Sequence, residues 1–149
     1  ILAMLFDDEY FMREALKEAQ KAWDADEVPI GAVIVCNNRI IGKGHNLTER
    51  LNDVTAHAEM QAITAAANTL GSKYLVNCTL YVTLEPCIMC AGALYWSQVD
   101  RIVFGAFDQK RGCSTVGKNL FHPKTLVASR IMEAACSQLM KDFFLKKRG

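Results

Sequence analysis

Residues 79–94 read TLYVTLEPCIMCAGAL, and the break inside this stretch organises the whole chain. TLYVTL is a short run rich in β-branched and aromatic residues, the pattern of a buried strand. Pro86 ends that run because it lacks an N–H for a sheet ladder. CIMCAGALYW, 87–96, then resumes as a helix. Downstream, RIVFGA at 101–106 predicts another strand, residues 107–124 a long loop, and TLV at 125–127 a short added strand. Ile131, Ala135, Leu139 and Phe143 set the face of a last helix. Upstream, a helix is predicted from His57 to about Leu70, with Met60, Ile63 and Ala67 on one face and Gly71 as its stop. IGAVIVC and RIIGKG flank Asn37-Asn38, which predicts two strands joined by a tight turn, since Asn tolerates the positive φ such turns require. Asp7 or Asp8 offers an N-cap to a first helix whose Phe11, Ala15, Ala19 and Ala22 recur at helical spacing. The resulting order, αββαβαβ(β)α, describes one α/β domain over 1–149 with helices on both faces of a sheet.

Composition narrows the class. A chain of 149 residues can bury a substantial core, and 51% hydrophobic with 22% charged residues is ordinary for a globular domain. The formal net charge of +1 announces no polyanion partner, so any nucleic-acid surface must be a local patch. No apolar run approaches the ~20 residues of a membrane helix, and ILAMLF lacks the basic lead of a signal peptide. A cytoplasmic location is expected. The chain starts at Ile1 rather than Met, so residues 1–6 are expected to be disordered or to derive from an added segment. The six cysteines, at 36, 78, 87, 90, 113 and 136, read as metal ligands or free thiols rather than disulfides. Cys36, Cys78, Cys113 and Cys136 have no motif around them and are read as small apolar core or loop residues.

Two segments carry chemistry: His57-Ala58-Glu59 and Pro86-Cys87-Ile88-Met89-Cys90. Cysteines three apart at a helix start lie within one turn and reach a single ion. The positive end of a helix also favours thiolates. With His57 as third ligand, a tetrahedral Zn2+ keeps its fourth position for water, as a catalytic site requires. Glu59, two residues from His57, points elsewhere than His57 and is placed to carry protons between that water and a substrate. Alone, Cys-x-x-Cys is more often a redox pair or half of a structural zinc site, and His-x-Glu alone means almost nothing. Together, as H-x-E and P-C-x-x-C, they form the signature of the zinc-dependent base deaminases. The chain is therefore expected to be a zinc-dependent hydrolase of a C–N bond, with one Zn2+ per subunit.

Beyond the signature, EVPIGAVIV (27–35), GHN (44–46), TAHAEMQAI (55–63), TLYVTLEPCIMCAGAL (79–94), RIVFGA (101–106) and DFF (142–144) resemble the bacterial tRNA adenosine deaminases of the cytidine/deoxycytidylate deaminase-like family. The resemblance runs over nearly the whole chain. It implies a cytidine deaminase-like three-layer α/β/α fold with a central mixed five-stranded sheet, a homodimer, and a tRNA anticodon loop whose wobble adenosine is flipped out and converted to inosine. It further implies that Asn46 hydrogen-bonds the flipped base and that the Ala58 N–H does the same. Pro86 or a neighbour would offer a carbonyl to the leaving amine, Ile30 would wall the adenine, and Phe144 would stack near the flipped nucleotides. Lys146-Lys147-Arg148 would grip phosphates.

The resemblance departs between His122-Pro123 and the last helix, where the chain is shorter than in that family and lacks its Asn-His-Arg element. That departure motivates an alternative substrate, a free base or nucleoside such as guanine, cytosine or cytidine, treated by the same chemistry. Two readings of another class remain: a non-catalytic subunit, against which Glu59 argues, and a structural-zinc module. The latter needs a fourth ligand, and His45 and His122 are the only other histidines.

Overall fold

The computed structural model describes residues 6–149, so the expectation for the first residues falls, Phe6 apart, outside them. Helix α1 (Asp8–Asp24) opens on Asp7, whose carboxylate accepts the Tyr10 N–H at 2.8 Å. Its predicted stripe, Phe11, Ala15, Ala19 and Ala22, is buried, together with Met12. Strands β1 (Gly31–Cys36) and β2 (Arg39–His45) form the predicted hairpin, with both turn residues at positive φ, 53° at Asn37 and 60° at Asn38. Helix α2 (Ala58–Leu70) ends on Gly71 at φ 65°. Strand β3 (Cys78–Leu84), helix α3 (Ile88–Ser97), strand β4 (Arg101–Ala106), strand β5 (Leu126–Ala128) and helix α4 (Glu133–Arg148) complete the order. The expected 107–124 loop contains one 3-10 turn, Cys113–Val116.

The sheet runs β2-β1-β3-β4-β5, antiparallel across β2, β1 and β3 and parallel from β3 to β5. Alternation along β1 sends Ala32 and Ile34 to one face and Val33 and Val35 to the other. The first face packs on α2 and α3, and the second on α1 and α4. The mixed five-stranded sheet of a three-layer α/β/α fold is thus realised. On the second face Asp8 takes both Nη atoms of Arg101, at 2.7 and 2.8 Å, plus the Tyr81 hydroxyl at 2.8 Å, and so fastens α1 to β4 and β3.

Two predicted helix faces are corrected. In α2 the buried residues against the sheet are Ala58, Ala62 and Ala66, while Met60, Ile63 and Ala67 are only half-buried. The reason is distance: a Cβ at Gly42 or Gly44 would strike the backbone of α2 at Ala62 and Ala66, or at Ala58 and Ala62. Only alanine fits opposite a strand that close. In α4 the predicted Phe143 is buried and Ile131 packs on the core, but Cys136 is the other buried residue and Ala135 is exposed. Met132 holds φ at 55°, so the helix starts at Glu133, beyond Ile131. Cys136 then fills the space over Gly105.

Candidate active site

All the pieces converge at one end of the sheet. β3 ends there at Leu84 and β4 at Ala106, and the antiparallel neighbours bring the start of β1 and the end of β2 to the same edge. Ligand sites of open α/β sheets lie at this kind of crevice. Helices α2 and α3 both begin there, with His57 and Cys87 as their N-caps.

The ligand atoms of His57, Cys87 and Cys90 lie within 4.8 Å of one another. His57 Nδ1 is 3.6 Å from Cys87 Sγ and 3.5 Å from Cys90 Sγ. A tetrahedral ion with bonds of about 2.0–2.1 Å to nitrogen and about 2.3 Å to sulfur separates such donors by about 3.6 Å, so both His57–cysteine separations fit zinc. Among the described residues no fourth His, Cys, Asp or Glu joins the set. His45 instead approaches Glu18 at 3.6 Å, and His122 packs at a tilt against the Tyr95 ring.

The electrostatics suit a cation. Cys87 is held down to about 3, first by the hydrogen bond from the Cys90 thiol and then by that from His57. Cys90 is pushed up because it donates to Cys87 and is buried. His57 is raised by its hydrogen bond to Cys87. A thiolate at Cys87 is thus favoured before metal arrives, and binding displaces the proton of the Cys90 thiol and any proton on His57 Nδ1. Glu59 is buried at the first turn of α2, and burial pushes its carboxyl up to about 7.

A cleft of about 680 Å3 opens above this floor. His57, Glu59, Cys87, Ile30, Asn46 and Phe144 all line it, so six of the nine predicted residues meet in one space. Asn46 is only 6% exposed. Cys90 lies beneath, fully buried. Ala58 and Pro86 present no side chain to the cleft. Ala58 is the first residue of α2, so its N–H has no acceptor within the helix. The Pro86 carbonyl already accepts the Cys113 N–H at 2.9 Å. Of the C-terminal cations, Lys147 pairs with Asp26 at 2.6 Å and Lys146 sits over the Trp23 ring, which leaves Arg148 to line the cleft.

The opposite rim comes from the 107–124 loop, in which the sequence singled out no site residue. Phe107, Gln109, Lys110 and Arg111, from the loop after β4, line the cleft as well. Lys110 and Arg111 are exposed, and among the described residues neither they nor Arg148 form an ion pair. The sequence reading missed two buried acids. Glu27 accepts the N–H groups of Glu49 and Arg50 at 3.1 and 2.7 Å, and Glu85 accepts those of Asp108 and Ser114 at 3.1 and 2.9 Å. A glutamate bordering each apolar β run was the available signal, because an unpaired buried acid needs a donor set.

Comparison with known proteins agrees with this geometry. Residues 6–106 match the model of the cytidine and deoxycytidylate deaminase zinc-binding region. The tRNA-specific adenosine deaminase of Bacillus subtilis (strain 168) is 49% identical over 146 residues, covering 95% of this chain and 91% of that protein. The enzyme of the same name from Aquifex aeolicus (strain VF5) is 46% identical over 145 residues, covering 95% and 96%. A solved structure from a study of A-to-I editing by tRNA:A34 deaminases at the wobble position superposes with a TM-score of 0.81 at 41% identity, covering 87% of this chain and 98% of that one.

Proposed function

The chain belongs to the cytidine and deoxycytidylate deaminase family, and from that premise we propose that it hydrolyses the wobble adenosine of a tRNA anticodon loop to inosine. The observation that carries this reading is the cleft itself: a zinc triad and a buried proton carrier at its floor, with aromatic residues and three cations at its rim. Phe107 and Phe144 offer faces to unstacked bases, while Lys110, Arg111 and Arg148 offer charge to the phosphates between them. A free base needs neither. Hence RNA is favoured over guanine, cytosine or cytidine, even with the shortened 115–130 region.

Zinc in this triad supplies Lewis acidity that brings the pKa of a water to roughly 7. Within the reaction, Asn46 and the Ala58 N–H hold the adenine, and Ile30 walls it. Glu59 takes a proton from the attacking water and delivers it to the ring nitrogen as the oxygen joins C6. It then assists proton movement to the exocyclic amine, which leaves as ammonia when the C6–N bond breaks. Its raised affinity for protons lets one carboxyl perform both transfers near neutral pH. The carbonyl of Pro86, which accepts the Cys113 N–H, keeps a second lone pair with which it accepts from the leaving amine.

The protein is further inferred to be a cytoplasmic homodimer. Among the described residues no helix is long and apolar enough to cross a membrane. α3 leaves Ile88 60% and Trp96 75% exposed on its outer side, an apolar face suited to a second copy.

The test is inosine formation in an anticodon stem-loop, run beside ammonia release from guanine, cytosine and cytidine. Turnover of the stem-loop is expected; turnover of a free base with none on RNA would overturn the reading. Glu59→Ala should abolish turnover while zinc content stays at one per chain. Zinc loss in that variant would make Glu59 a ligand or a structural residue instead.

A further inference from the structure

We propose that Glu85 is a positioning residue for substrate: its buried carboxyl holds the Phe107–Gly117 loop in the shape that brings Gln109, Lys110 and Arg111 to the cleft. The inference rests on the functional reading above for what the loop contacts, but not for what holds the loop.

Glu85 is 4% exposed and follows directly on β3. Its Oε1 accepts the Asp108 N–H at 3.1 Å and its Oε2 the Ser114 N–H at 2.9 Å, with the Cys113 thiol also directed at Oε2. The two amides lie on either side of the tip that carries Lys110 and Arg111, so one carboxyl clamps both ends of the excursion. Gly112 completes the clamp, because a Cβ there would lie inside van der Waals contact with Glu85 Oε1 and Cδ. The loop covers the carboxyl at a glycine and at no other residue type without displacement.

The clamp stands between two cavities. Glu85, Phe107, Asp108 and Gln109 border both the 680 Å3 cleft and a neighbouring one of about 710 Å3. No lysine or arginine neutralises Glu85 in an ion pair among the described residues. Its partners are backbone amides and a thiol, which fix a path of chain rather than a charge. Both oxygens accept from the same loop, on either side of its tip, so the hydrogen bonds of this carboxyl go to the path of that loop. A second route ties the loop to the site: Cys113 N–H donates to the Pro86 carbonyl, and Gly112 bridges Cys87. The competing role for Glu85 is therefore support of the metal ligand.

Glu85→Gln separates the two roles at constant volume, since the amide presents a donor to one of the two N–H groups. With one buried hydrogen bond lost, KM for an anticodon stem-loop should rise about tenfold while kcat falls less than about threefold. Zinc should stay at one per chain. Independently of any substrate, trypsin should cut after Lys110 or Arg111 about tenfold faster than in the unsubstituted protein, with the thermal midpoint little changed. Gly112→Ala should give the same signature. Unchanged cleavage and unchanged KM in Glu85→Gln would overturn the proposal, and so would zinc loss with collapse of kcat. If the unsubstituted protein leaves the stem-loop untouched, the functional reading fails, and the trypsin comparison still decides whether Glu85 holds the loop.

Discussion

The two helices that deliver the metal ligands are built on opposite plans. α2 lays Ala58, Ala62 and Ala66 against Gly42 and Gly44 of β2, so close that neither surface admits another methyl group. α3 packs Cys90, Ala91 and Leu94 inward but leaves Ile88, Tyr95 and Trp96 uncovered. His57 and Glu59 therefore sit on an element located by its own chain. The cysteines sit on one whose outer side is available to a neighbour. The site draws its precision from the first contact, while the second leaves apolar side chains uncovered.

The largest effect should come from forcing the tight contact open. Gly44→Val is expected to cost about 3 kcal/mol or more in urea unfolding, because the obstacle is helix backbone rather than a movable side chain. Zinc retention should fall with it, since the start of α2 moves. Full stability and full zinc content in that variant would show that the two elements can separate freely. Next in size is Trp96→Glu: the proposed pairing of two copies through α3 predicts that it shifts sedimentation from dimer toward monomer by weakening association about tenfold or more, an effect of about 2 kcal/mol. The folding of each monomer should hardly change.

The fastening at Asp8 lies on the other face of the sheet and tests whether the contrast between the helices is local. Asp8 is held below its ordinary value, first by the hydrogen bonds from Arg101, so its stabilising contribution is present above the ordinary carboxylate range and is lost as pH falls through the depressed value. Asp8→Asn should cost about 1–2 kcal/mol at neutral pH. The difference from the unsubstituted protein should shrink in acid as Asp8 itself becomes protonated. A difference independent of pH would mean that packing, not charge, fastens α1. Smallest is Gly92→Ala on α3. A Cβ there meets nothing within 4 Å, and the helix should gain about 0.5–1 kcal/mol in thermal or urea unfolding of the monomer.

Legibility in the sequence followed the range of the forces. The α1 stripe, the Asn37-Asn38 turn and the Gly71 stop are set within a few residues, and all were readable. His57, Glu59, Cys87 and Cys90 were readable because metal chemistry restricts both residue type and spacing. The α2 face was misread because its burial is decided by Gly42 and Gly44 on a strand well outside the helix, not by the size of its own side chains. The α4 face was misread because one left-handed residue, Met132, moves the start of the helix. The Lys110-Arg111 rim was invisible because its path is fixed by Glu85, more than twenty residues earlier and outside any periodic pattern.

The seam between α2 and β2 also bears on how such a chain can change over generations. Gly42 faces Ala66, and Gly44 faces Ala62. Enlarging either glycine meets helix backbone, so a single substitution there cannot be absorbed by a side chain swinging aside. A larger residue at either glycine therefore has to move the helix that carries His57 and Glu59, whereas a substitution at an exposed position of the rim loop does not.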